Sequence, residues 1–272
     1  MLHQSASSGS SLMLVVAHPD DDAYGLAGTV ALHAGETGFR FILVHATDGA
    51  AGGIPPGFPA TRETLGAIRR EECRSAWRAL GREPDRHEWL DYDDGRVADV
   101  PFEELVARLT AVMEEECPDV VATFGPDGIT GHPDHIAVGR AADEAFHRLR
   151  TAGTKGFHRL VHGALKESTF ERWNKARRAQ GLAPWDPTQV YQLRGVPDEL
   201  IGVEVDASPV ADRIVAGLQE HRSQRRVIYD LDRTAEQWQR SVGREYLVIG
   251  WPPSPPGSPM LHDVFEGIGS SD

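Results

Sequence analysis

The stretch LMLVVAHPDDDAYG, residues 12–25, decides the fold. Residues 12–17 are a continuous apolar run without alternation, which marks a strand buried on both faces, as in a parallel sheet. The run stops at His18, Pro19 and three consecutive aspartates. Crowded carboxylates repel one another and resist burial, so the turn raises the question of which positive charge they share. Beyond it Ala23, Ala27, Val30, Ala31 and Ala34 recur at helical spacing.

Strand, polar turn and helix then repeat along the chain. Residues 39–47 read as a second strand, followed by a Gly/Pro-rich loop, 48–60, long enough to act as a lid or rim. The spacing of Leu65, Ile68, Cys73, Ala76, Trp77 and Leu80 predicts a helix over 61–80. A short strand near 87–90 precedes the acidic loop DYDDG, and residues 102–116 carry a second apolar stripe. Residues 119–124 are another buried strand, and a helix over 133–150 follows the loop GPDGITGHPDH. Strands are expected at 157–165, 201–205 and 244–250, with a helix at 207–222. The alternation predicts an α/β protein with a Rossmann-like, mostly parallel sheet covered by helices on both faces, plus additional C-terminal strands and helices. It also suggests one domain over 12–250, divided near residue 150, between a flexible lead-in (1–11) and a Pro-rich tail (251–272).

Composition narrows the function. With 272 residues, 40% hydrophobic and 25% charged, the chain has ordinary globular make-up. A formal net charge of −13 speaks against a nucleic-acid binder, because phosphate contact needs a basic face. No apolar run is long enough to span a membrane, and the N-terminus does not read as a secretory signal. Cys73 and Cys117 stand in no metal or redox spacing and read as free thiols of a cytoplasmic protein, a disulfide remaining open. A homo-oligomer is equally open.

His-Pro-Asp occurs twice, at 18–20 and 132–134, each time after a buried strand and before a helix. Ligands of open α/β sheets bind outside the carboxyl ends of the strands, so both turns belong on one edge. Proline favours the first helical position, which places Pro19 and Pro133 at helix starts with His18 and His132 near the caps. His18 and Asp21 are three apart, as are His132 and His135. Two imidazoles and one carboxylate with an open position suit catalytic zinc. A divalent cation also answers the repulsion among the aspartates. One such turn alone reads as a helix cap; two, each with an extra Asp or His at the same offset, are hard to explain that way. His45 in a strand and His33 in a helix read as packed or surface histidines.

At these residues the sequence resembles the LmbE-like (PIG-L) family of zinc-dependent N-deacetylases. The matching segments are AHPDDDAYGLAGT (17–29), TDG (47–49), IRREECRSAWRALG (68–81), LDYDDG (90–95), TGHPDHIAVG (130–139) and HRSQ (221–224). The resemblance implies hydrolysis of an N-acetyl group on a small glucosamine-containing molecule. It implies zinc ligands His18, Asp21 and His135, a general base in Asp20, and His132 facing the oxyanion as an imidazolium supported by Asp134. It makes Arg69 and Asp94 sugar-binding residues. Asp48 and His221 are further candidates for the pocket. Structural alternatives stand beside these: an Arg69–Glu72 salt bridge, turn roles for Asp48 and Asp94, and a helix-terminal role for His221. The sequence departs from the family pattern at Asp22, usually Glu, at Ala27, usually Gly, and at Thr130, where some mycothiol-branch relatives carry a catalytic tyrosine. Competing functions are an amidase for thiol-cofactor conjugates, a Mg²⁺ phosphohydrolase, which the two histidines disfavour, and a non-catalytic sugar- or nucleotide-binding module. No G-x-G-x-x-G follows the first strand to support the last.

Overall fold

A computed structural model describes residues 9–225, 234–255 and 257–268. Most of the lead-in expected over 1–11 and the end of the tail lie outside the described residues. Seven strands form one sheet: β1 (Ser11–Val16), β2 (Arg40–Thr47), β3 (Arg86–Tyr92), β4 (Val120–Phe124), β5 (Arg159–Ala164), β6 (Ile201–Asp206) and β7 (Arg244–Trp251), in spatial order 3-2-1-4-5-7-6. The first five are parallel; β7 runs antiparallel between β5 and β6. Every residue of β4 and all but the first of β1 are buried, which explains their unbroken apolar runs.

The helices are α1 (Asp21–Gly25), α2 (Ala27–His33), α3 (Arg62–Leu80), α4 (Phe102–Glu116), α5 (Gly128–Gly131), α6 (Pro133–Thr151), α7 (Glu167–Ala179), α8 (Ala211–Glu220) and α9 (Ala235–Val242). α4 packs on α6, and α3 on α8. Strand order reverses at β1, which has β2 on one side and β4 on the other. Such a switch point opens a crevice at the carboxyl ends of the two central strands, and both His-Pro-Asp turns leave from there.

The single helix expected after the first turn is two. It breaks at Leu26, with φ −145° and ψ 20°. The new start is capped from far away: the Glu245 carboxylate on β7 accepts from the backbone N–H of Gly28 (2.6 Å) and Thr29 (2.9 Å). Gly28 is required there, since a Cβ would stand 2.7 Å from a Glu245 oxygen. Three of the described helices had no counterpart among the sequence expectations. α5 is a single turn of four residues inside the loop expected before His132. α7 buries only Thr169, Phe170 and Asn174, too sparse a stripe to register. α9 buries Trp238 alone, but its Thr234–Gln237 capping box was a readable start signal.

Trp251 ends β7, and the described residues of the tail beyond it are irregular apart from a bridge between Leu261 and Val203. Val264 is fully buried and its carbonyl accepts from Arg159. No helix among the described residues is long and apolar enough to cross a membrane.

Candidate metal centre and active site

β1 and β4 deliver the two turns to one point. The Nδ1 of His18 lies 3.2 Å from Nε2 of His135 and 3.2 Å from one carboxylate oxygen of Asp21. The other Asp21 oxygen lies 3.3 Å from His135 Nε2. Ligands about 2.0–2.1 Å from a tetrahedral zinc stand about 3.3 Å apart, so this triangle has the edge length of a zinc ligand set.

The outer nitrogens fix the rings. His18 Nε2 faces Asp94 at 3.0 Å and Asp134 at 3.3 Å. His135 Nδ1 faces the carbonyl of Gly128 at 3.0 Å, and its ring stacks on Phe124. A ligating imidazole whose second nitrogen meets a carboxylate or carbonyl is the usual outer arrangement of metal sites. Although burial opposes it, hydrogen bonds to Asp134, Asp21 and Asp94 hold His18 well above the ordinary imidazole range. Desolvation raises the half-buried Asp21 carboxyl, yet His135 and His18 hold it below the usual carboxylate range. A buried anionic nest of this kind selects a cation, and its mixed nitrogen and oxygen donors suit zinc. Zinc is therefore chemically at home here.

Asp20 stands beside the triangle in a different state. Its backbone is left-handed at φ 119°, a conformation that costs a non-glycine residue roughly 1–3 kcal/mol. Three contacts hold it. Its N–H donates to Asp22 (3.0 Å); Arg69 donates to its carboxylate (3.0 Å) and to the carbonyl of Pro19 (2.5 Å). Burial, opposed by the Arg69 guanidinium and reinforced by Asp21, pushes its carboxyl up to about 7. Asp20 rather than Pro19 thus precedes α1, and Pro19 lies outside the helix.

Asp22, for which the sequence suggested no chemistry, is fully buried. Besides the N–H of Asp20 it accepts from the Trp77 indole (2.5 Å) and the Cys73 thiol (3.4 Å). The three aspartates of the opening stretch therefore have separate partners: Arg69 for Asp20, the two histidines for Asp21, an inner polar cluster for Asp22.

The second turn follows the expected cap geometry. Pro133 opens α6, and Nδ1 of His132 accepts from the N–H of Asp134 (3.1 Å). Burial and the neighbouring His18 and His135 push His132 down to about 4, so its ring is neutral with Nε2 as the protonated nitrogen. The Asp134 carboxylate, fully buried, accepts from Gly95 (2.8 Å) and Val97 (3.1 Å) and faces His18. Its direct contact is with His18, while its charge also opposes the downward shift of His132.

The other candidates sort by contact. Arg69 is buried on Asp20, and its second branch donates to Gly49 (2.8 Å), while Glu72 pairs with Ser223. A Cβ on Gly49 would lie 2.2 Å from that Arg69 branch, so the TDG glycine clears space for the guanidinium. Asp94 joins His18 to the N–H of Ala51, pinning the Gly/Pro-rich loop to the centre. Asp48 closes its own turn by accepting from Ala50 (3.0 Å). His221 is fully buried, with no hydrogen-bond partner on either ring nitrogen among the described residues. Tyr191, which no motif flagged, meets His132 edge-on at 5.0 Å between ring centroids and is 68% exposed.

Comparison with known proteins agrees with this geometry. A sequence model of the GlcNAc-PI de-N-acetylase (PIG-L) family matches residues 13–146. A 1D-myo-inositol 2-acetamido-2-deoxy-alpha-D-glucopyranoside deacetylase of Streptomyces scabiei is 31% identical, the alignment covering 96% of this chain and 90% of that one. The deacetylase of the same name from Acidothermus cellulolyticus is 30% identical, over 95% of each chain. Among solved structures, the N,N'-diacetylchitobiose deacetylase of Pyrococcus horikoshii superposes with a TM-score of 0.60 at 23% identity, covering 91% of this chain and 84% of that one. That last likeness is one of fold.

Proposed function

Because the chain belongs to the GlcNAc-PI de-N-acetylase (PIG-L) family of amide hydrolases, we propose that it removes the N-acetyl group from a small 2-acetamido-glucoside bearing a polyol aglycone. The observation that carries the proposal is the 3.2–3.3 Å triangle of His18, Asp21 and His135 with the Asp20 carboxylate beside it. His18, Asp21 and His135 would hold a zinc ion, which would supply Lewis acidity toward the amide carbonyl and the water.

The chain's own groups do the rest. Asp20, pushed to about 7, accepts the proton of the water and is matched to returning it near neutrality. Arg69 fixes the carboxylate that does so. His132 is neutral, its Nδ1 committed to the helix cap, and offers Nε2–H to the oxyanion as a hydrogen-bond donor. The imidazolium role drawn from the resemblance is replaced by this neutral one. Asp94 and Asp134 act through His18 as positioning residues. Tyr191 borders the entrance above His132, where a sugar ring would approach.

The test is acetate release from N-acetylglucosaminyl-inositol by zinc-loaded protein, with N-acetylglucosamine as comparison. Faster turnover of the inositol glycoside supports the reading. Zinc-loaded protein that releases no acetate from either compound sinks it.

A further inference from the structure

Directly behind the catalytic turn lies a second set of metal-ligating side chains with no part in the proposed reaction. β2 supplies His45, β3 supplies His87 and α3 supplies Cys73. One nitrogen of each imidazole and the Cys73 sulfur all lie within 4.8 Å of one another. His45 Nδ1 stands 2.9 Å from His87 Nε2, and His45 Nε2 faces a carboxylate oxygen of Asp22 at 3.4 Å. The other Asp22 oxygen is 3.4 Å from the Cys73 sulfur. His45 and Cys73 are fully buried, and Trp89 stacks on the His45 ring. His45 Nε2 has no hydrogen bond of good geometry.

We propose that His45, Cys73 and His87 form a second metal site, for a zinc-class divalent cation. The two ring nitrogens at 2.9 Å share a single proton between two lone pairs. A cation in place of that proton needs the nitrogens to part only to about 3.3 Å. The displaced proton moves to His45 Nε2, whose N–H then points at Asp22, a carboxylate–histidine–metal arrangement like that of His18 with Asp94. Cys73 gives up its thiol proton on binding and becomes the thiolate ligand, with that proton released to solvent. A thiolate with two imidazoles is a borderline-soft set, which selects zinc or its chemical relatives over magnesium or calcium. The site also gives buried Asp22 a cationic neighbour, as Arg69 does for Asp20 and the first metal for Asp21. Because Asp22 holds the backbone of Asp20, the second cation would stiffen the turn that carries the general base.

Cobalt(II) substitution tests this independently of activity. The first centre offers only nitrogen and oxygen donors, so a sulfur-to-cobalt charge-transfer band in the near ultraviolet reads the second site alone. Chelator-stripped full-length protein titrated with Co²⁺ should develop that band and bind two ions. Cys117→Ser should retain the band. Cys73→Ser should abolish it and reduce the stoichiometry by one. His87→Gln, a change at a half-buried position on β3, should weaken the band's titration by about tenfold or more. A wild-type protein that binds cobalt without a thiolate band overturns the proposal. So does a band that survives Cys73→Ser.

Discussion

After β1 the chain reads His18-Pro19-Asp20; after β4 it reads His132-Pro133-Asp134. In the first turn the proline stays outside the helix, the aspartate takes a left-handed backbone, and its carboxylate is held at the edge of the site by Arg69. In the second the proline opens the helix and the histidine caps it. There the aspartate is swallowed, its carboxylate given to Gly95, Val97 and His18. The histidines diverge as well: His18 turns Nδ1 to the metal triangle, while His132 spends Nδ1 on an N–H of its own helix. The difference comes from the residues packed after and around each turn. Asp22 and Arg69 impose the strained conformation on Asp20. Nothing comparable acts on Asp134 among the described residues, so Pro133 runs straight into a helix. On the proposed reading, identical tripeptides thus yield a base in one place and an orienting group in the other.

The same substitution in both turns should separate those roles. Asp20→Asn removes the proton acceptor without touching a ligand. It should cost roughly 100- to 10,000-fold in kcat, with zinc content unchanged by elemental analysis. Near-normal turnover in that variant would remove Asp20 from the chemistry. Asp134→Asn should behave in the opposite sense. Its first loss is about 10- to 100-fold in zinc affinity, from releasing His18, together with about 1–3 kcal/mol of stability from the disturbed Gly95 and Val97 bonds. If competition with a chelator showed unaltered zinc affinity while kcat collapsed, the two aspartates would not differ as described.

How much of this was legible beforehand depends on the range of each interaction. The buried strands, the position of both turns at one sheet edge and the spacing of His18, Asp21 and His135 are local patterns, and the sequence shows them directly. The cap on Gly28 and Thr29 comes from Glu245, more than two hundred residues away, so the break in the first helix had no local sign. Asp94 looked like a turn residue because its partner, His18, is set by the approach of two loops. Asp22 suggested no chemistry, since its burial on Trp77 and Cys73 appears only once α3 is packed. His45 read as a packed histidine for the same reason: its neighbour His87 belongs to another strand.

Arg69 sharpens the contrast through pH. Asp20 must be ionised to accept a proton, and the guanidinium lowers a carboxyl that burial raises. Arg69→Met should therefore move the acid limb of kcat/KM to higher pH. At a fixed pH on that limb, activity should fall about tenfold for every pH unit that the limb moves. No arginine pairs with Asp134 among the described residues, and Asp134→Asn should leave the limb where it is. A limb that stays fixed in Arg69→Met would mean that the titrating group is not Asp20.

The smallest effect lies in the helix caps, and it isolates the second turn from its chemistry. His132 accepts from the Asp134 N–H through Nδ1, whereas Asp20, at the equivalent position before α1, makes no side-chain cap. His132→Ala should lose about 1 kcal/mol in denaturant unfolding, and His132→Asn should recover most of it, because asparagine caps as well as serine does. Asp20→Ala should show no capping loss. Both His132 variants should be slow, since neither presents a ring N–H to the oxyanion. Stability that returns with asparagine while turnover does not would show that one imidazole serves the helix through Nδ1 and the reaction through Nε2. If asparagine failed to restore stability, the capping bond would contribute nothing, and Nδ1 would not be the held acceptor that leaves Nε2–H for the oxyanion.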